Sequence, residues 1–107
     1  MKAIYVQQGK SVNYINTGSA AIAAGEVVPL TTRIGIAATD IPKGALGAIE
    51  TVGVFELPKE SGIAITVGAA VYYAKGGITT TETNNTPAGW ATAPAAADDT
   101  TVRVKID

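Results

Sequence analysis

Apolar and polar residues alternate most regularly in TVRVKID, residues 101–107, where Val102, Val104 and Ile106 are separated by polar residues. A period of two predicts a strand with one buried face and one wet face. Shorter β-like segments occur at 3–8, 11–16 and 33–39, the last with Ile34 and Ile36 on one face. Gly and Pro turns separate these segments. The pattern predicts an all-β fold, a small single-domain β-barrel or β-sandwich with short strands.

The longest strand-like run covers residues 48–57 and is ended by Pro58, which cannot donate to a strand ladder. One face of this run includes Phe55, and the other includes Val52 and Val54. Because neither face is purely polar, we expect a central strand, or a strand whose second face is covered by a neighbouring subunit.

Glycines mark the breaks within and between these segments. Gly53 predicts a bulge or bend in the long run, and Gly76-Gly77 predicts the two-residue turn of a hairpin. Two segments follow the same order, in which an apolar stretch is followed by a Gly and then by a Val-rich strand. They are AAIAAGEVV (20–28) and GIAITVGAAVYY (62–73). This similarity suggests an internal repeat.

Composition narrows the class of protein. The 107 residues fit one domain, residues 1–107, and the apolar fraction is dominated by small Ala, so we expect a lean core and a gain in stability from oligomerisation. A net charge of −1 with scattered charges argues against nucleic-acid binding. The sequence has no membrane-length apolar run, and its start does not predict a signal peptide. Cys and His are both absent, which removes thiolate ligands and the commonest general base.

The candidate chemistry is sparse. GKS at 9–11 matches only the tail of a phosphate-binding loop and lacks its first Gly. The adjacent carboxylates at 98–99 are too few for a calcium loop and predict a solvated turn. With no His in the chain, a serine nucleophile would need a lysine as its base, for example Ser61 with Lys59 or Lys43. We therefore predict no catalytic residue, no cofactor and no metal site.

The linear order of several segments resembles the small phage capsid cement (head decoration) proteins. The matching segments are AAIAAGEVVPL (20–30), IGIAATDIPKGALGAIETVGVFELPK (34–59), ITVGAAVYY (65–73), the TT run after a Gly turn (77–81), AGWA (88–91) and AAADDTTVRVKI (95–106). The resemblance covers nearly the whole chain, and its most specific part is GVFELPK at 53–59. Some members of the family carry a recombinase label, which this sequence, having no Walker motif, does not support.

The resemblance implies a structural protein of a phage or prophage. Such proteins are present in the host cytoplasm during assembly and in the virion on the exterior of the head, where they reinforce the shell, often as trimers. The implied partners are the major capsid protein lattice and further copies of the chain, with a homotrimer favoured. The family brings no catalytic residues.

Eight apolar residues are the candidates for contacts with other subunits. They are Ile4, Tyr5, Val6, Val52, Val54, Phe55, Tyr73 and Trp90. Residues 1–8 are a candidate docking arm that could add a strand to a capsid edge. Two alternatives remain open: a small β-barrel binding module for a sugar or peptide, with Trp90 or Tyr73 as its platform, and a hydrolase that uses Lys, Ser or paired carboxylates.

Overall fold

Nine strands form two antiparallel sheets in the computed structural model, which describes residues 1–107. The strands are β1 (Ser11–Ile15), β2 (Val27–Pro29), β3 (Ile34–Ala37), β4 (Leu46–Glu50), β5 (Val54–Pro58), β6 (Ala70–Ala74), β7 (Gly77–Thr79), β8 (Thr86–Ala91) and β9 (Thr101–Lys105). Sheet 1 has the order β1-β4-β3-β2, and sheet 2 has the order β5-β9-β8-β6-β7. The fold is thus an all-β sandwich, which is one of the two architectures that the sequence predicted. The sheets do not close into a barrel. The structure has no helix that could cross a membrane.

Two apolar clusters fill the interior. The larger cluster lies on the inner face of sheet 2 and includes Val102, Val104 and Ile106, which confirms the predicted alternation in the last strand. Ile34 and Ile36 of β3 join this cluster from sheet 1, whereas the smaller cluster lies on the opposite face of sheet 1. Strand β3 is therefore buried on both faces, and it connects the two halves of the core.

The prediction of one continuous strand over residues 48–57 is wrong. The run is divided into β4, an interior strand of sheet 1, and β5, an edge strand of sheet 2. The break lies at Gly53, whose φ of 132° is a conformation that side-chain-bearing residues rarely adopt. The predicted bend at Gly53 is confirmed, and Pro58 is the last residue of β5, as expected. Period-two alternation could not show that the chain changes sheets here.

The predicted hairpin exists, but its turn is shifted by one residue. Ala74 pairs with Gly77, so the two-residue loop is Lys75-Gly76 and not Gly76-Gly77. Gly77 starts β7 with a φ of 126°, and a Cβ atom there would lie 2.9 Å from the backbone N of Glu60. Close packing of β7 against the end of β5 therefore accounts for this glycine.

The suggested internal repeat is confirmed by the topology. The order β1-β4-β3-β2 in sheet 1 matches the order β5-β9-β8-β6 in sheet 2, and β7 is an addition to the second unit. In the first unit Ile22 forms an antiparallel bridge with Ile41, and in the second unit Ile65 forms the same bridge with Ala95. The chain is thus built from two similar four-stranded units.

A buried polar residue follows the first strand of each unit. The Asn16 Nδ2 donates to the carbonyl oxygen of Ala20 at 2.8 Å, and the Lys59 Nζ donates to the carbonyl oxygen of Ile63 at 2.5 Å. Each side chain thus binds the carbonyl four residues ahead and fixes the loop after its strand. Two different residue types perform the same task, so this equivalence leaves no signal in the sequence.

Candidate interaction surfaces

The first eight residues form an exposed segment without secondary structure, which we call the arm. Ile4, Tyr5 and Val6 are 88%, 82% and 83% exposed, and no part of the chain covers them. An exposed apolar cluster of this kind is typical of a segment that contacts another molecule. The structure therefore leaves the three arm candidates available for contact.

The base of the arm is fixed to the first sheet. Thr51 Oγ1 donates to the Gly9 carbonyl oxygen at 2.6 Å, and the Thr51 amide donates to the Lys10 carbonyl oxygen at 2.9 Å. These two bonds continue the pairing between β1 and β4 by one residue pair.

A row of four residues crosses the outer face of sheet 2, and we call it the outer row. Val54 lies opposite Lys105, Lys105 opposite Trp90, and Trp90 opposite Ala70. Their strand neighbours point into the larger core, so these side chains point outward. Val54 is 54% exposed and Trp90 is 45% exposed. The outer row thus brings together two predicted candidates that are 36 positions apart in the sequence.

The remaining predicted candidates have different environments. Val52 is exposed in the connection between β4 and β5, next to the outer row in sequence. Phe55 and Tyr73 are half-buried and pack against the larger core. For these two residues the structure assigns a packing role within the chain.

Sequence reasoning missed a second exposed apolar pair. Ile15 and Leu46 lie opposite each other at the end of sheet 1 and are 56% and 62% exposed. The alternation in 11–16 is a signal for Ile15, because the half-buried Val12 and Tyr14 point to the smaller core and odd-numbered residues point away from it. The partner Leu46 could be found only from the strand register.

The alternative of a small-ligand binding module receives little support from the cavities. The most apolar one has a volume of about 170 Å³ and is lined by Tyr73, Val27, Leu57, Ile78 and the β6–β7 turn. Ligand pockets usually span about 300–1,000 Å³. Three clefts of about 380–420 Å³ reach this size, but they are open at the surface and neither Tyr73 nor Trp90 lines them. Trp90, the other proposed platform, lies on an open sheet face and not in this cavity.

The Ser–Lys arrangement considered for a hydrolase is not formed around Lys59. The Lys59 Nζ is buried and donates to the carbonyl oxygens of Glu60, Ile63 and Ala97 at 2.9, 2.5 and 3.3 Å. An ammonium group has three donors, so all of them are used. Lys59 therefore holds loops together and makes no hydrogen bond with Ser61.

The other candidate groups have local structural roles. Asp99 Oδ2 accepts a hydrogen bond from the Ala96 amide at 2.8 Å and closes the turn before β9, as predicted for 98–99. Gly9, in the GKS segment, has a φ of 83° and precedes a strand, whereas a phosphate-binding loop precedes a helix. The structure contains no group of three or more His, Cys, Asp or Glu side chains that could hold a metal ion.

Comparison with known proteins gives one assignment. The model of a family described as phage cement protein matches residues 6–106, which includes all nine strands and the outer row. No significant match was found among curated proteins or among solved structures. The match agrees with the resemblance found in the sequence, and it covers far more than half of the chain. The chain therefore belongs to the phage cement protein family, whose role is a structural one at the phage capsid.

Proposed function

We propose that this protein binds the outside of the assembled phage head and stabilises the shell. The observation that carries the proposal is the family match over residues 6–106. The chemistry of the surface supports it, since the uncovered features are apolar side chains and an unpaired arm rather than a cluster of reactive groups. In this proposal the protein joins the head in the host cytoplasm and remains on the virion exterior, and it has no catalytic activity.

The arm is our candidate for docking on the major capsid protein lattice. Its backbone makes no hydrogen bonds before Gly9, and its three large apolar side chains lack cover. An extended segment of this type can add a strand to an exposed sheet edge, where main-chain hydrogen bonds supply affinity. The composite surface between neighbouring capsid subunits exists only after assembly, so we expect binding to heads and not to unassembled capsid protein.

The outer row is our candidate for contacts between copies of this chain. Beside the row, Glu56 lies opposite Arg103 on the same face, so a second copy of the face presents both signs of charge. Closed symmetric oligomers are the most frequent kind, and the family resemblance favours a trimer here. The core is small, since only 20 of the 107 residues are buried, and this gives a physical reason for the chain to gain stability from such association.

Co-sedimentation with expanded, empty heads tests the proposed function. The full chain should sediment with heads, fail to bind unassembled capsid protein, and raise the temperature at which heated heads break. A chain without residues 1–8 should remain folded and lose most of its binding. If the full chain binds no related head, the binding-module alternative should replace this proposal; if the shortened chain binds and protects equally well, the arm is not the anchor.

A further inference from the structure

The two units of the chain carry equivalent rows of side chains. The counterpart of the outer row in the first unit, which we call the first row, crosses sheet 1 in the same strand register. In matching order the outer row is Val54, Lys105, Trp90 and Ala70, and the first row is Ser11, Glu50, Ile36 and Val27. Trp90 therefore has the position in the second unit that Ile36 has in the first.

The apolar half of the first row is covered within the chain by the second unit. Ile36 is buried in the larger cluster, which lies on the inner face of sheet 2. Val27 packs against the same cluster and lines a cavity together with Leu57 and Ile78 of sheet 2. One face of the first unit thus packs on the inner face of the second unit. The outer row has no equivalent cover, since Trp90 is 45% exposed.

The inner face of the first unit, which carries the smaller cluster, also lacks a covering unit. Tyr14 and Ile22 pack against this cluster and are only half-buried. Beside them a cleft of about 410 Å³ opens between the end of β1, the loop 17–22 and β2, and Tyr14, Ile22 and Val28 line it. The chain therefore has one uncovered row on the second unit and one uncovered inner face on the first.

Strand β7 explains why this cleft occurs in the first unit and not in the second. In the second unit Ile78 of β7 forms a β-bridge with Lys59 and is 2% exposed. Asn16, the counterpart of Lys59, lines the cleft instead, because sheet 1 has no strand that corresponds to β7. The first unit thus has room for a covering side chain larger than Ile36, and Trp90 at the equivalent position is larger.

The charges of the two uncovered surfaces are opposite. Lys105 is the only charged member of the outer row, and its Nζ donates to the Asp107 carbonyl oxygen at 2.6 Å, which leaves two of its three donors unused. Glu26 is the only charged residue that lines the cleft. The ion pair of the chain joins Arg33 and Asp107, so the Glu26 carboxylate is unpaired. Opposite charges on two facing surfaces favour their association.

We propose that the outer row of one copy packs on the inner face of the first unit of a second copy, with Trp90 in the cleft and Lys105 beside Glu26. This inference rests on the proposed function, in which the outer row joins copies, and it assigns the surface that receives the row. The contact repeats between copies the packing of one unit on the other within the chain. It is head-to-tail, so it can close into a ring of three, whereas a row-to-row contact closes at two copies.

Two variants and a control test this contact by light scattering at micromolar concentration. Trp90→Ser removes the inserted side chain. Ala21→Arg places a bulky cation on an exposed alanine that lines the cleft, and Ala24→Arg makes the same change on an exposed alanine outside it. Trp90→Ser and Ala21→Arg should each raise the dissociation constant between copies at least about tenfold, whereas Ala24→Arg should assemble like wild type. Circular dichroism should show the wild-type fold for all three.

A mixture of Trp90→Ser and Ala21→Arg distinguishes head-to-tail from row-to-row contact. Each variant keeps one of the two surfaces, so the outer row of Ala21→Arg should bind the cleft of Trp90→Ser. The mixture should form a dimer with one copy of each variant and nothing larger. It is measured at the highest soluble concentration, because a single contact lacks the mutual support of a closed ring. If Ala21→Arg alone keeps the wild-type mass, the outer row contacts another surface and this inference is overturned.

Carbodiimide cross-linking of the wild-type protein provides a measurement that does not depend on how a variant folds. Mixing isotope-labelled with unlabelled protein identifies cross-links between copies by mass spectrometry. We expect Lys105 of one copy joined to Glu26 of another; Lys105 joined between copies to Glu56, beside the outer row, would indicate row-to-row contact and overturn the inference. Wild-type protein that is monomeric but sediments with heads would overturn this inference alone. Assembled, cross-linked protein that binds no heads would overturn the proposed function and leave this contact standing.

Discussion

Val104 offers the most direct test of the core, because its side chain is completely buried in the larger cluster. Its neighbours across the sheet are Phe55 and Ala91, and neither side chain can bind a carboxylate. We predict that Val104→Asp unfolds the protein.

The magnitude follows from two contributions. Removing the buried Val side chain loses about 1.5–3 kcal/mol of burial free energy. An unpaired carboxylate at this buried position costs on the order of several kcal/mol more, even after local relaxation. The free energy of unfolding of a natural domain is only about 5–15 kcal/mol. The two losses together therefore reach or exceed the stability expected for a domain with so lean a core.

Circular dichroism during urea denaturation measures this effect. Thr101→Asp is the matched control, since it places the same carboxylate on the same strand at an exposed position. Its free energy of unfolding should stay within about 1 kcal/mol of wild type.

The Val104→Asp variant should also depend on pH. Burial raises the pKa of the carboxyl that it introduces, so the folded state binds more protons than the unfolded state. This variant should therefore lose stability as pH rises from acid to neutral. A soluble Val104→Asp protein that unfolds cooperatively near the wild-type midpoint at neutral pH would refute the assigned faces of β9.

Three further predictions concern other parts of the chain. Gly89→Ala should lower the urea midpoint strongly, because φ is 128° there and the new Cβ would collide with the Lys105 carbonyl oxygen, whereas Gly76→Ala has open space and should be tolerated. Trp90→Ser should reduce the mass measured by light scattering at micromolar concentration without unfolding the protein; an unchanged oligomer would exclude the outer row as the contact between copies. Deleting residues 1–8 should leave the melting temperature almost unchanged, since they make no contact with the core; a large decrease would show that the arm supports the fold.

The sequence predicted the elements whose local pattern matches their final environment. In β9, alternation alone identified the buried residues because one face meets the core and the other meets solvent. The bend at Gly53 was also predictable, because glycine conformation acts within a few residues. The β-like segment 3–8 forms no strand, because no other segment of the chain pairs with it; it is the exposed arm that the sequence offered as the alternative.

Other features depend on contacts between distant segments and could not be predicted in this way. The change of sheet between β4 and β5 depends on which strands each half pairs with. The half-burial of Phe55 and Tyr73 results from the packing of sheet 2, and the pair of Ile15 and Leu46 exists only through the β1–β4 register. The equivalence of Asn16 and Lys59 required the hydrogen bonds, since an amide and an ammonium share no sequence signal.

Electron cryomicroscopy of expanded, empty heads incubated with the purified protein tests the central proposal most directly. We predict added density on the outer surface at fixed lattice positions, with each copy contacting more than one capsid subunit and with three-fold positions preferred. Heads that show no added density at saturating protein, or density only on their inner surface, would contradict the proposal that this protein stabilises the shell from outside.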